Sequence, residues 1–354
     1  MKIQLRNFCV IIPCVIIAFI FQGCGSNFEK AQLKMSFQQS HGSFYIHDGK
    51  LYDKTHREFI MRGVNSPHAY FRTPAYHAMN DIKNYGFNTV RIVWCADNLE
   101  RGGRCERKDM HGLEHLEAIF AKLRDLKLVA VLNLQNATGS DDPWHLALMV
   151  DWYTRPEVKD LLFRYQDMLI INIANEWYGS WHDPYQVYRN TYQREIRRLR
   201  DAGLPHVLMI DARGWGQQFA SIPENFEQLQ GIDENLLFSA HFYDAFHNAD
   251  RVREVFQTVR QMKIPFVVGE FACQHYPGQY VDCETIMAEA NRNGETYGYL
   301  AWSWAGNSSD LAGLDITSNR DWRSLTDWGQ QLVYGAHGIK ASSRQACFFD
   351  LQDC

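Results

Sequence analysis

Two glutamates each sit at the end of a run of apolar, β-branched residues: Glu176 closes MLIINIANE (168–176) and Glu270 stands near the end of IPFVVGEF (264–271). An ionised carboxylate is costly to bury unless it is paired, hydrogen-bonded or holding its proton. Two such acids on converging strands can divide one reaction between them. One protonates a leaving oxygen while the other attacks or activates water, which is the chemistry of glycosidic bond hydrolysis. Tryptophans near the same strand ends, Trp177, Trp181, Trp215 and Trp302, suit that chemistry because an indole face stacks on the apolar face of a sugar ring. Trp144 belongs to the same group of candidate platforms. The bland reading of either acid alone is a strand-end ion pair, and of each indole, rim packing.

Acids at strand ends need strands to carry them. Eight apolar runs recur along the chain, at 58–65, 88–94, 128–134, 168–176, 206–212, 236–243, 264–271 and 297–304. Between them, segments such as AYHAMNDIKNYG, LEHLEAIFAKLRDLK, YQVYRNTYQREIRRLRDAG and VREVFQTVRQMK space their apolar residues by three and four, as amphipathic helices do. Several end in Gly or in a Lys/Arg turn. Near-continuous apolar strands alternating with helices indicate a parallel sheet covered on both faces. Eight such units over about 250 residues is the size of a (β/α)8 TIM barrel, an α/β fold. An open doubly wound sheet would carry a glycine-rich turn after its first strand, where this chain reads NSPHAYF. Ahead of the barrel, FYIHDGKLYDKTHREFIM predicts a short N-terminal β-hairpin turning at Asp48 and Gly49.

A TIM barrel gathers its active site at the C-terminal ends of its strands. The strand ends here offer Asn65 and His68, Arg91 and Trp94, Gln135 and Asn136, Asn175 and Glu176, Asp211 and Trp215, His241 and Tyr243, Glu270, and Trp302 with Trp304. His68 follows the first barrel strand and is expected to touch substrate. His247, His275 and His337 read as ordinary surface or loop histidines.

The segments NTVRIV, INIANEWYGSW, the run from Asp211 to Gln217, VVGEF and LAWSWAGNS resemble glycoside hydrolase family 5, specifically its bacterial-type endo-β-1,4-mannanases. The likeness runs from about Phe44 to about Gly338. It implies a retaining double displacement on a β-mannan polysaccharide, without a cofactor or metal. Glu176 matches the family's acid/base and Glu270 its nucleophile. Asn175 matches the amide that holds the sugar's 2-hydroxyl, Arg91 the arginine that orients and ionises the nucleophile, His241 and Tyr243 a pair lining the site, and Trp302 the floor beneath the reacting sugar. Such a division requires Glu176 to be kept protonated and Glu270 ionised. One stretch departs from the pattern: VLNLQNATG stands where the family reads like VLEVHDATG, so Gln135 replaces a histidine and Asn136 an aspartate. An amide donates a hydrogen bond but does not titrate near neutrality, and altered pH dependence is the expectation. The competing activities are β-1,4-glucanase (cellulase) and a carbohydrate-binding barrel with weak turnover.

The remaining features concern location. Residues 1–24, MKIQLRNFCVIIPCVIIAFIFQGC, have the basic start and short apolar run of a secretory signal, and the Gly23-Cys24 junction resembles a lipobox. Lipidated Cys24 would then be the point of membrane attachment of a cell-surface lipoprotein; cleavage nearby would give a freely secreted one. Residues 25–43 read as a tether, 44–340 as the catalytic domain and 341–354 as a C-terminal extension. After Cys24 six cysteines remain, an even number that suggests disulfides in an exported chain. Their clustering favours Cys95 with Cys105, Cys273 with Cys283, and Cys347 with Cys354. A formal charge of −5 argues against an electrostatic grip on nucleic acid. A monomer is expected.

Overall fold

A computed structural model describes residues 42–97, 105, 112–292 and 294–351. The signal, all but the last two residues of the tether, and Cys354 lie outside the described residues. The described residues belong to one compact unit that begins at Gly42. No helix among the described residues is long and apolar enough to cross a membrane.

The hairpin forms as expected. Strands β1 (Tyr45–His47) and β2 (Lys50–Tyr52) pair antiparallel across Asp48 and Gly49, both at positive φ, the conformation that a two-residue hairpin turn demands. Eight parallel strands then close into a barrel: β3 (Arg62–Ser66), β4 (Thr89–Trp94), β5 (Val129–Leu134), β6 (Leu169–Asn172), β7 (Leu208–Asp211), β8 (Leu236–Phe242), β9 (Phe266–Phe271) and β10 (Gly298–Ala301), with β10 pairing back to β3. Every residue of these eight strands is buried, which is why most of their sequences read as near-continuous apolar runs rather than as alternation.

Helices cover the outside. The first, α1 (Arg72–Tyr85), buries Ala75, Ala78, Met79 and Ile82, one face at helical spacing, and stops at Gly86 in the left-handed conformation. It is followed by α2 (Leu113–Asp125), α3 (Pro143–Tyr153), α4 (Pro156–Arg164), α5 (Tyr185–Asp201), α6 (Ser221–Gln230), α7 (Ala249–Met262), α8 (Cys283–Ala290), α9 (Asp327–Tyr334) and the short α10 (Ile339–Ser342). Helix α3 starts immediately after the cleft loop that follows β5, with Asp142 capping Trp144 N–H and Pro143 in the first turn.

The C-terminal extension belongs to the body of the barrel. Ser342 accepts from Arg62, the Arg344 carbonyl accepts from Asn88, and Phe348 lies edge-on to Phe44. Cys95–Cys105 and Cys273–Cys283 form the disulfides expected from spacing. Cys347 is also disulfide-bonded.

Candidate active site

The site begins with the backbone at Glu176. Strand β6 ends at Asn172, and four residues later Glu176 adopts a positive φ of 46°, a conformation that costs a non-glycine residue about 1–3 kcal/mol and persists only where its surroundings impose it. Here both peptide groups are held: Glu176 N–H donates to Asp211 Oδ2 (3.0 Å), and its carbonyl accepts from Gly139 N–H (3.1 Å). The turn aims the carboxyl into the barrel mouth, where Oε1 lies 2.8 Å from His241 Nδ1.

His241 is brought there by an irregularity between β8 and β9. Ala240 pairs with Val268 but His241 pairs with Glu270, so Gly269 is the extra residue of a bulge. A Cβ on Gly269 would fall 2.3 Å from Ser239 Oγ, and one on Gly216 would fall 2.6 Å from His241 Cγ. Both glycines therefore leave room for the imidazole, which gives the second glycine of the Gly-Trp-Gly stretch a steric reason.

Glu270 is held by three groups. Arg91 Nη1 donates to Oε1 (2.7 Å), Tyr243 hydroxyl donates to Oε2 (2.8 Å), and His241 Nδ1 lies 3.5 Å from Oε2. Arg91 is itself wholly enclosed and spends its other donors on Asn65 Oδ1, Asn172 Oδ1 and Asn175 Oδ1, with Asp211 Oδ2 at 3.5 Å. Such a buried pair is worth little as net stability, but its geometry is tightly specified because each unsatisfied group would carry a large desolvation cost. The planar guanidinium suits four oxygens at once.

The charges follow from this packing. Burial pushes the Asp211 carboxyl up, but His241, Arg91 and the Glu176 N–H outweigh it and hold the group down at about 2. Burial would depress His241, yet Glu270, Asp211 and Glu176 raise it to about 10, so the imidazole carries a proton at neutral pH. Tyr243 is pushed well above its ordinary value by burial and by the Glu270 charge and stays a donor. Glu270, expected from the sequence to be kept ionised by donors such as Arg91, is raised above the ordinary range by burial, and Glu176 adds to the rise, while His241, Arg91 and Tyr243 oppose it. One atom each from Glu176, His241 and Glu270 lie within 4.8 Å of one another, a spacing a metal ion could bridge. A protonated imidazole has no lone pair to offer one, so the cationic ring itself fills the third corner between the two carboxylates.

The remaining predicted residues divide by exposure. A cleft of about 690 Å³ is lined by Gln135, Asn175, Glu176, Trp215, Tyr243, Glu270 and Trp302. Trp302 anchors its indole N–H on Asn307 Oδ1 (3.2 Å). Trp215 is 42% exposed and lies on the bare backbones of Gly139 and Gly179. Trp181, 40% exposed, packs on Gly214 outside the cleft lining, and Trp144, 60% exposed, is also outside it. Two expected contacts are corrected. Trp177 has no exposed surface; it packs among Tyr178, Tyr188 and Tyr192 and donates to the Asp142 carbonyl, because the turn that presents Glu176 sends the next side chain into the core. His68 is likewise fully enclosed, 6.3 Å from the ring of His115, and burial followed by the neighbouring His115 and Lys122 lowers it to about 3. It supports the wall as a neutral ring.

Gln135 faces the cleft but bonds inward. Its Nε2 donates to Asn133 Oδ1 (2.7 Å), Asn133 donates to Asn172 Oδ1 (2.8 Å), and Asn172 receives Arg91. Asn136 is spent on both backbone groups of Ala96. The sequence reading noted Asn65 and Asp211 only as strand ends and assigned no place to Asn133 or Asn172. The signal available was a polar residue at an inward position of an otherwise apolar barrel strand.

Residues 52–308 match the model of the family described as cellulase (glycosyl hydrolase family 5). The chain belongs to glycosyl hydrolase family 5. Among family 5 relatives, a mannan endo-1,4-β-mannosidase of Salipaludibacillus agaradhaerens is 38% identical over 309 residues, covering 86% of this chain and 96% of that protein. A β-mannanase/endoglucanase A of Caldicellulosiruptor saccharolyticus is 32% identical over 284 residues, which are 79% of this chain and 20% of that protein. A structure of a β-mannanase from Thermomonospora fusca in complex with mannohexaose superposes with a TM-score of 0.77 at 30% identity, over 87% of this chain and 99% of that one.

Proposed function

We propose that this protein is an endo-acting retaining glycoside hydrolase that cleaves internal β-1,4-mannosidic bonds of mannan, galactomannan or glucomannan. The observation that carries the reading is the pair Glu176 and Glu270 facing one cleft, joined by a cationic His241, with carboxylate oxygens inside 4.8 Å. Carboxyl groups about 5–5.5 Å apart leave no place for a water between acid and sugar, so the second acid attacks carbon directly. Mannan is favoured over other β-glycans by the 38% identical relative named a mannan endo-1,4-β-mannosidase and by the β-mannanase solved with mannohexaose.

In this reading a mannosyl residue lies against Trp302 with its anomeric carbon toward Glu270. The Glu270 carboxylate attacks that carbon while Glu176 gives its proton to the departing oxygen, and a covalent mannosyl ester forms. Glu176, now ionised, takes a proton from water, which cleaves the ester and returns the sugar with its original β configuration. Charge balance supports the starting state: Arg91 and His241 match Asp211 and Glu270, so the enclosed site is neutral when Glu176 holds its proton. Arg91 and Tyr243 keep the two Glu270 oxygens aimed, and Asn175, anchored by Arg91 and Thr138, is placed for the sugar's 2-hydroxyl. Trp215 offers a face for a sugar beside Glu176.

Reducing-sugar release from mannan and from carboxymethyl cellulose tests the assignment. Release from mannan that far exceeds release from the cellulose is expected; the reverse ratio would make the enzyme a cellulase. Two disulfides fit an oxidising, extracellular location. Attachment through lipidated Cys24 predicts that Cys24→Ser moves activity from the membrane fraction to the medium, and no redistribution would remove the anchor.

A further inference from the structure

Tyr243, which holds one oxygen of Glu270, is backed by a residue from the neighbouring loop. The ring of His275 stacks on Tyr243, centroids 4.6 Å apart and planes 25° from parallel. Its Nδ1 lies 3.0 Å from Oδ1 of Asp244, the residue that follows Tyr243 in the chain, so one loop clamps the ring from the side and from the face. With its amide nitrogen turned to Asp244, Gln279 donates to both carboxylate oxygens, at 3.1 and 3.2 Å.

The segment that carries His275 is built to keep it there. Residues 273–283 form a small hairpin in which His275 N–H donates to the Gln279 carbonyl, Gln274 bridges Tyr280, and Val281 N–H donates to the Cys273 carbonyl. The Cys273–Cys283 disulfide closes its base. A second backbone bond, Asp282 N–H to the Phe246 carbonyl, ties the hairpin to the loop after β8. The imidazole, which itself lines the cleft, thus backs the Tyr243 ring, and the ring's hydroxyl holds Glu270.

We propose that His275, clamped by Asp244 on the disulfide-closed hairpin, is a positioning residue that acts through Tyr243 to hold the Glu270 carboxylate in its attacking orientation. This rests on the reading of Glu270 as nucleophile. The sequence alone marks His275 as an ordinary loop histidine, because nothing in a linear reading places it over a residue 32 positions earlier.

A double-mutant cycle on mannohexaose separates action through Tyr243 from direct substrate contact or a general structural role. His275→Ala is expected to lower kcat by about tenfold, short of the roughly hundredfold that a misplacement of about 1 Å can cost, with KM changed far less. Combined with Tyr243→Phe it should cost little more than Tyr243→Phe alone, since residues acting in one chain are not additive. His275→Phe retains an aromatic face and should recover most of kcat, and it carries the test if the alanine variant does not fold. Multiplicative losses in the double variant, a change confined to KM, or His275→Phe as impaired as His275→Ala would each overturn the proposal. The underlying reading is checked in the same experiment: wild type must turn over mannohexaose and Glu270→Gln must not, and failure there defeats the nucleophile assignment rather than the His275 coupling.

Discussion

Replacing Arg91 should change both stability and the pH range of activity, in directions the packing fixes. Arg91→Ala leaves Glu270 and Asp211 enclosed with one cation, His241, between them. Breaking a buried pair from one side costs about 3–5 kcal/mol, and in a domain of this size that lowers Tm by roughly 10 °C. Glu270 is already raised by burial, and removing the guanidinium takes away one of the groups that oppose the rise. An attraction of roughly 4 kcal/mol at about 4 Å and an effective dielectric of about 20 sets an upper bound of about three pH units on the additional shift. Attack requires the ionised carboxylate, so the acidic limb of kcat/KM must move to higher pH, toward a weaker enzyme at neutrality. Arg91→Lys keeps the charge, but three ammonium donors cannot reproduce the planar contacts to Asn65, Asn172, Asn175 and Glu270; its limb should move less and its kcat fall more than its stability. The assay is kcat/KM on mannohexaose across pH, with thermal unfolding recorded in the same buffers. A folded Arg91→Ala with an unmoved acidic limb would refute the electrostatic role.

Three further outcomes follow from the same packing. His241, raised from 6.5 to about 10 in the folded protein, contributes stability that is complete below pH 6.5 and lost as pH rises through 10; His241→Gln should be less stable at neutrality and show a flatter decline across that window in pH-dependent denaturant unfolding. Gln135→His should add a transition near the ordinary imidazole range, about pH 6.5, to a pH–rate profile otherwise set by the carboxylates, and an unchanged profile would remove Gln135 from the site's electrostatics. Trp177→Ala, in the core, should cost about 3–5 kcal/mol of stability, whereas Trp215→Ala, lying on two glycines at the cleft, should lower kcat/KM on mannohexaose with Tm nearly unchanged; equal unfolding shifts would contradict their placement.

The strands were readable because a barrel strand covered on both faces is mostly apolar, with only a few inward polar positions interrupting it, and each observed strand falls within or beside its predicted run. The strand ends were less so. The run 168–176 looked like a single strand, but pairing stops at Asn172, since Glu176 must turn through a left-handed conformation to face the cleft. That turn also inverted the reading of Trp177, whose ring enters the core beside Tyr178 instead of the cleft. The carboxylates, Arg91 and His241 were legible from type and position. Asn172, which receives Arg91, and Asn133 beside it were not, because a buried amide is recognisable only once the donor it faces is known. Asp211 and His275 share this property, as each acts on a residue from another strand's loop.

The retaining assignment is tested most directly by trapping the covalent intermediate. Incubation with a 2-deoxy-2-fluoro-β-mannosyl fluoride, followed by proteolysis and mass spectrometry, is expected to place the sugar on Glu270, with labelling abolished in Glu270→Gln. An adduct on any other residue, or an active enzyme that forms none and releases the α-anomer first from mannohexaose, would contradict the account.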